Sequence, residues 1–351
     1  MNNKIVVYQV LTRLFGNTNT TNKAWGTKEE NGVGKFSDFT EKALLEIKKL
    51  GATHIWFTGV LHHALTTDYT AYGISNDFPA VVKGRAGSPY AIKDYYTVNP
   101  DLADNPAQRL EEWEALIVRT HQYGLKVIMD IVPNHVARRY ESIAKPEGVR
   151  GFGEDDDVSV TYAVNNNFYY NPNEAFQLPE GIYGEYHEFP AKWTGNGARA
   201  SQPDRNDWYE TVKLNYGVRP DGTKNFPTLP AGFENEATEI HYNFWQNQIV
   251  PDTWQKFKDI ALYWLEKGVD GFRYDMAEMV PVEFWSYLNS AIKHHNPEAF
   301  LLAEVYNPNE YRPYLHLGKM DYLYDKVQLY DTLRNIVAHG HSTDAIAPIQ
   351  R

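Results

Sequence analysis

Short apolar runs alternate along this sequence with segments of helical spacing, and this alternation restricts the folds open to the chain. The run Ile5–Val10 precedes a predicted helix over Phe36–Leu50, where apolar residues recur every three or four positions up to Gly51. Such alternation is typical of a parallel sheet covered by helices. The other predicted strands are His54–Phe57, Lys126–Ile131, Val269–Tyr274, Phe300–Ala303 and Asp321–Tyr324, and the other predicted helices are Ala107–Tyr123, Thr253–Lys267, Val282–His295 and Thr332–Ala338.

The alternation is interrupted after the third strand by a long segment rich in Asn, Gly, Tyr and Pro. Connections in β/α folds are usually about 2–6 residues long, so this segment is predicted to be an inserted functional unit. Six β/α units with one such insertion predict an α/β fold, a (β/α)8 barrel of the TIM type, of which this chain supplies about six units. The predicted parts are residues 1–135 (first part of the barrel), 136–249 (insertion) and 250–351 (second part).

Composition excludes several classes of protein. The net charge is −11 and no cluster of Lys and Arg is present, so we expect no nucleic-acid partner. No segment approaches the roughly 20 apolar residues of a membrane span, and the apolar run at residues 4–10 is too short for a signal peptide. An exported protein whose signal had been removed would begin in the same way, so the compartment stays open. The 14% aromatic content fits either a large core or rings that stack on sugars.

The predicted third strand ends in the polar sequence Asp130-Ile-Val-Pro-Asn134-His135. The reactive groups of a β/α barrel lie at the carboxyl ends of its strands. Three polar side chains of different chemistry are therefore expected at one end of the barrel. The alternative is that Asp130 caps the next turn and Asn134 satisfies loop backbone.

The fourth and fifth strands end in carboxylates. The fourth strand reads Gly271-Phe-Arg273-Tyr-Asp275, and strand alternation points Arg273 and Asp275 the same way. We expect the arginine to lower the pKa of Asp275, as suits a nucleophile, although a structural ion pair is the alternative. We expect partial desolvation to raise the pKa of Glu304, as suits a general acid, although a turn cap is the alternative. Retaining glycosidases hold two such carboxylates about 5–5.5 Å apart, and we expect this separation here.

The strings DIVPNH, GFRYD and LLAEV, in this order and around the long insertion, resemble the signature regions of the α-amylase family, glycoside hydrolase family 13. The resemblance extends from Val6 to about His339. It implies a catalytic barrel with a domain B insertion, and retaining cleavage of α-glucosidic bonds, mainly α-1,4, in starch-like glucans or maltooligosaccharides, without an organic cofactor. The implied residue roles are Asp275 as nucleophile, Glu304 as acid/base, Arg273 keeping Asp275 ionised, His135, Asp130 and Tyr90 as substrate contacts, and Asn134 as a ligand of a structural calcium ion.

Two features depart from the family pattern. Met276-Ala-Glu278-Met279 follows Asp275 where Lys-His is often found, which leaves product preference and the balance of hydrolysis and transfer open. The family's Asn/His-Asp pair, which supplies a third catalytic carboxylate, is not found before Arg351, and neither are the last two β/α units or the C-terminal β-domain. We therefore expect that this chain does not form a closed, active barrel as a monomer. It should self-associate through the open barrel edge, or the sequence continues beyond Arg351. The alternative function is a catalytically impaired glucan-binding relative or an inactive fragment.

Overall fold

The computed structural model describes residues 4–350, and these contain twelve strands and eight α-helices. The strands are β1 (Val7–Leu11), β2 (His54–Thr58), β3 (Leu61–His63), β4 (Ile92–Val98), β5 (Lys126–Ile131), β6 (His135–Ala137), β7 (Tyr170–Asn171), β8 (Ala191–Lys192), β9 (Thr211–Lys213), β10 (Gly271–Tyr274), β11 (Phe300–Ala303) and β12 (Tyr322–Leu323). The helices are α1 (Lys28–Asn31), α2 (Glu41–Lys49), α3 (Arg109–Gln122), α4 (Thr238–Trp245), α5 (Asp252–Glu266), α6 (Val282–His295), α7 (Tyr311–His316) and α8 (Asp331–His339).

The central sheet is parallel throughout and has the strand order β1-β2-β5-β10-β11-β12. All six strands predicted from the sequence are present, and helices lie between them in the chain. This arrangement confirms the predicted α/β class, with the first six strands of a (β/α)8 barrel. The predicted bounds of β5, α6 and β11 agree with the structure, and the other bounds differ by at most two residues except at α2.

Strand alternation separates two groups of side chains. Phe57 and Met129 belong to the main core shared with the helices, where Leu116 of α3 and Phe257 of α5 are fully buried. Burial of a side chain of this size stabilises the fold by about 1.5–3 kcal/mol. Trp56, Ile128 and Phe300, which occupy the alternate strand positions, form a separate cluster inside the curve of the sheet. The same alternation directs the polar residues at the strand ends into this interior.

Gly271 lies where β10 and β11 come close together. A Cβ atom at this position would lie 2.1 Å from the carbonyl oxygen of Phe300, its partner in the register of the two strands. Only glycine allows this approach. The close approach is between two strands of the sheet.

The helix predicted over Phe36–Leu50 is wrong in its first part. A short 3-10 turn covers Phe36–Asp38, and α2 begins at Glu41. Thr40 is the N-cap, and its hydroxyl accepts a hydrogen bond from the backbone N–H of Ala43 at 3.3 Å. A threonine in this position stabilises a helix start, so it separates the turn from the helix.

The insertion consists mostly of loops held by two short antiparallel pairs, β6 with β9 and β7 with β8. The sequence did not predict α4, which lies near its end and packs against α6. His241 Nδ1 and Trp245 Nε1 lie 2.7 and 2.8 Å from the hydroxyl of Ser286 on α6. The bounds 136–249 given above for the insertion stay a prediction. Helix α4 lies inside that range, yet it packs against α6 in the helical layer of the barrel. None of the helices described is both long enough and apolar enough to cross a bilayer.

Candidate active site

Arg273 is the centre of a buried charge cluster at the carboxyl ends of β5, β10 and β11. Its Nη1 atom lies 2.6 Å from Oδ1 of Asp275 and 3.3 Å from Oδ1 of Asp130, and its Nη2 atom lies 2.9 Å from Oε2 of Glu304. Its Nε–H donates to the hydroxyl of Tyr324 at 3.0 Å. One guanidinium therefore faces three carboxylates, and their burial is tolerated because each is paired with it.

Aromatic rings surround the arginine. The guanidinium carbon lies 4.9 Å from the ring centroid of Trp56, 5.7 Å from that of Tyr90 and 5.6 Å from that of Tyr324. These distances are within the range of cation–π attraction. The indole N–H of Trp56 also donates to Oδ2 of Asp130 at 2.8 Å. Both oxygens of Asp130 thus contact protein groups, which supports a role in holding Arg273, and its predicted contact with substrate stays a prediction.

The pKa of Asp275 is raised, which is opposite to the prediction made from the sequence. Burial is the largest cause and the charge of Glu304 adds to it, so that the pKa of Asp275 reaches about 7 although Arg273 opposes both. The sequence-based argument considered one arginine beside one carboxylate. In the structure Arg273 is shared among three carboxylates, and it cannot offset the desolvation of each.

The pKa of Glu304 is lowered, again opposite to the prediction. Burial acts to raise it, but three donors outweigh burial and hold the pKa of Glu304 below its ordinary value. Oε2 accepts from Arg273 and, at 2.9 Å, from the backbone N–H of Met276, and Oε1 accepts from the hydroxyl of Tyr306. The charge of Glu304 in turn raises the pKa of Asp275. The two carboxyl groups therefore share their protons as a coupled pair.

The backbone at Met276 is strained where it meets Glu304. Met276 has a φ of 48°, in the left-handed region that non-glycine residues seldom adopt. Such strain costs about 1–3 kcal/mol and is common at functional sites. Here it accompanies the hydrogen bond from the Met276 N–H to the carboxylate of Glu304.

The structure brings His135 and Tyr90 together beside the charge cluster. Nδ1 of His135 lies 3.0 Å from the side-chain nitrogen of Asn134, and the His135 ring centroid lies 5.4 Å from that of Trp208 in an edge-on orientation. The backbone of Tyr90 is among the groups that act on the pKa of His135. Burial, aided by the charge of Lys213, lowers the pKa of His135 to about 3. The imidazole is therefore neutral at pH 7.

The surroundings of Asn134 do not fit a calcium ion. Its side-chain oxygen accepts a hydrogen bond from the ammonium group of Lys213, and its side-chain N–H donates to the carbonyl of Gly195 at 2.9 Å. Calcium takes 6–8 oxygen ligands, usually including carboxylates. Within residues 4–350, no group of three or more His, Asp or Glu side chains could hold a metal ion.

Sequence reasoning missed four residues of the site. These are Trp56, Glu278, Tyr306 and Tyr324. Oε2 of Glu278 accepts from the backbone N–H groups of Tyr306 and Asn307 at 2.9 and 3.1 Å, which ties the loop after β10 to the loop after β11. Glu278, Tyr306 and Tyr324 follow the carboxyl ends of barrel strands, and this position was the signal that could have found them. Trp56 lies in the middle of β2, where strand alternation points it to the interior.

Fold and site together define a β/α-barrel catalytic domain with a buried pair of carboxylates. A sequence profile described as the alpha amylase catalytic domain matches residues 9–339, and the chain belongs to that family, as the resemblance implied. Alpha-amylase 3 of Dictyoglomus thermophilum is 23% identical over 231 residues, which are 64% of this chain and 34% of that protein. A cyclomaltodextrinase from a Bacillus species is 22% identical over 311 residues, which are 86% of this chain and 40% of that protein.

Solved structures share the fold. The crystal structure of an alpha-amylase from Lactobacillus plantarum matches 99% of this chain and 58% of that chain, with a TM-score of 0.55 and 22% identity. The chain thus spans less than two thirds of each of these three relatives.

Proposed function

We propose that this chain carries the catalytic carboxylates of a retaining glycosidase that cleaves α-glucosidic bonds, mainly α-1,4, in starch-like glucans or maltooligosaccharides. The observation that supports this most is the shared ion pairing of Asp275 and Glu304 with Arg273, at 2.6 and 2.9 Å, on adjacent strands. Paired carboxylates at short range are the arrangement that retaining glycosidases use.

In the proposed mechanism one carboxyl group supplies a proton and the other attacks. Glu304, when it holds the proton of the pair, donates it to the glycosidic oxygen while Asp275 attacks the anomeric carbon. The bond to the leaving sugar breaks, and a covalent glycosyl-enzyme forms on Asp275. Glu304 then takes a proton from water, which attacks the same carbon and releases Asp275. Two displacements at one carbon return the α configuration.

The proposed mechanism requires that Asp275 and Glu304 together hold one proton at the pH of the reaction. The raised pKa of Asp275 supports this requirement. Because that pKa is about 7, about half of the pairs keep one proton at pH 7, and most keep it in mildly acidic solution. In the proposed mechanism the proton moves from Asp275 to Glu304 before attack, and both carboxylates are held by the same guanidinium. Arg273 remains cationic and stabilises whichever carboxylate is charged.

A glucan substrate is supported by family membership and by the rings around the site. The relatives above are named an amylase and a cyclomaltodextrinase. Trp56, Tyr90 and Tyr324 place three rings around Arg273, and aromatic faces bind the apolar faces of sugars. Stacking on Tyr90 would hold the sugar next to the carboxylates.

The proposal is tested by the configuration of the first product. The 351-residue chain is incubated with maltopentaose, and proton NMR follows the anomeric signals before mutarotation. We expect the α anomer to appear first, with Asp275→Asn as the inactive control. A first product in the β configuration would overturn the retaining mechanism. Binding of maltopentaose without turnover would instead support the catalytically impaired alternative.

A further inference from the structure

Lys213 occupies the junction between the barrel and the insertion. It ends β9 and pairs in register with His135 of β6, the residue after Asn134. Its ammonium group donates to the side-chain oxygen of Asn134 and lies 3.5 Å from the carbonyl oxygen of Met279 in the loop after β10. One cation thus meets oxygens from the ends of two barrel strands.

Asn134 is held so that its oxygen faces this lysine. The side chain is fully buried, and its NH2 group donates to the carbonyl of Gly195 in the insertion. Its backbone carbonyl accepts from the N–H of Leu214, the residue after Lys213, at 3.1 Å. The NH2 group of Asn134 already donates to Gly195, which fixes the direction of the side-chain oxygen. Because this oxygen is buried, it needs a hydrogen-bond donor or a cation as its partner.

We propose that the ammonium group of Lys213 replaces a structural metal ion at this junction, so that the barrel and the insertion are joined without calcium. A divalent cation at the Asn134 oxygen would meet the positive charge of Lys213 at close range. Within residues 4–350, no Asp or Glu forms an ion pair with Lys213, whose pKa is shifted by burial and not by a neighbouring carboxylate, and hard cations favour carboxylates. The site therefore has oxygens enough for one ammonium group but lacks the anionic ligands of calcium.

The first test measures thermal unfolding of the 351-residue chain with excess calcium and with excess EDTA, together with its bound calcium by elemental analysis. We expect the same unfolding midpoint in both solutions and no stoichiometric calcium. One bound calcium ion per chain whose removal lowers the midpoint would overturn the proposal. This readout does not depend on catalysis, so it is independent of the proposed function.

The second test replaces the lysine. Lys213→Met removes the cation and leaves the buried oxygen of Asn134 unpaired, so the midpoint should fall by roughly 3–8 °C. Lys42→Met, the same change at an exposed position of α2, is the matched control and should leave the midpoint unchanged. Equal midpoints for the two variants would contradict the proposal.

A third variant tests whether the lysine excludes the metal. Lys213→Asp places a carboxylate beside the Asn134 oxygen, and we expect calcium to raise the midpoint of this variant but not that of the wild type. If the Lys213→Asp chain folds but has the same unfolding midpoint with and without calcium, the result contradicts the proposal that the ammonium group takes the place of a metal ion. If this variant does not fold, the first two tests still decide.

Discussion

The hydroxyl of Tyr306 donates a hydrogen bond to Oε1 of Glu304, the carboxylate two residues before it in the chain. The other oxygen of Glu304 accepts from Arg273 and from the N–H of Met276. Both oxygens of the proposed acid/base are thus directed by neighbours before any substrate is bound. This contact explains in part why the pKa of Glu304 is lowered although the group is buried.

Tyr306→Phe should raise the pKa of Glu304, because it removes one of the donors that stabilise the charged form. We expect kcat to fall by about tenfold, the order of one charge-assisted hydrogen bond, and the acidic limb of the pH profile to move to higher pH. Rates are measured on maltopentaose across the pH range. Tyr330→Phe, which removes an exposed hydroxyl, is the control. An unmoved acidic limb would contradict this role for Tyr306.

The pH dependence of the proposed reaction should be bell-shaped. The pKa of Asp275 is raised to about 7, so above this pH the carboxyl pair loses its last proton and no general acid remains. Below the lowered pKa of Glu304 both groups are protonated and no nucleophile remains. We therefore expect kcat/KM to decline as pH rises through 7 and to decline again in acid. A rate that stays constant up to pH 9 would exclude this pair as the titrating groups.

Asp275→Asn should abolish turnover and preserve binding. The amide keeps the shape of the side chain but cannot form the covalent intermediate, so we expect kcat to fall by at least about 10³-fold. Isothermal titration with maltopentaose should still detect binding. Asp259→Asn, at an exposed position of α5, should keep full activity. Activity of Asp275→Asn within tenfold of the wild type would show that another carboxylate is the nucleophile.

Glu278→Gln should reduce kcat more than it changes KM. One oxygen of Glu278 accepts the N–H groups of Tyr306 and Asn307, so loss of its charge loosens the loop that carries Tyr306. We expect kcat to fall by roughly 3–10-fold and KM to stay within twofold, because misplacement of a reacting group lowers the rate. The control is Glu298→Gln, an exposed change just before β11, at the opposite end of that strand from Tyr306. A rise of KM alone would indicate instead that Glu278 contacts substrate.

The 351-residue chain alone should self-associate. In the part of the chain described, β1 and β12 each pair with one neighbour only, and Leu11 at the end of β1 is 40% exposed. Open strand edges promote pairing between chains. Light scattering should show species larger than a monomer, and Leu11→Lys should reduce them, whereas Leu50→Lys, at an exposed position after α2, should not. A monodisperse wild-type monomer would refute this expectation.

The positions of the charged residues could be predicted from the sequence because strand alternation is a local property. Asp130, Arg273, Asp275 and Glu304 end apolar runs at the parity that faces the interior, and the structure places all four together. The bounds of β5, α6 and β11 were predicted because each element has a clear local period and a clear end. The break before α2 was missed because a cap depends on one side chain rather than on a period.

The sequence by itself determined the order of strands and helices, the family and the strand-end carboxylates, since these depend on short-range patterns and on motif strings. Only the tertiary structure decided the directions of the pKa shifts of Asp275 and Glu304 and the contact of Lys213 with Asn134. These depend on how deeply a group is buried and on which distant residues share its partner. Arg273 serves three carboxylates from three strands, and no local pattern in the chain can show how one charge is divided among them.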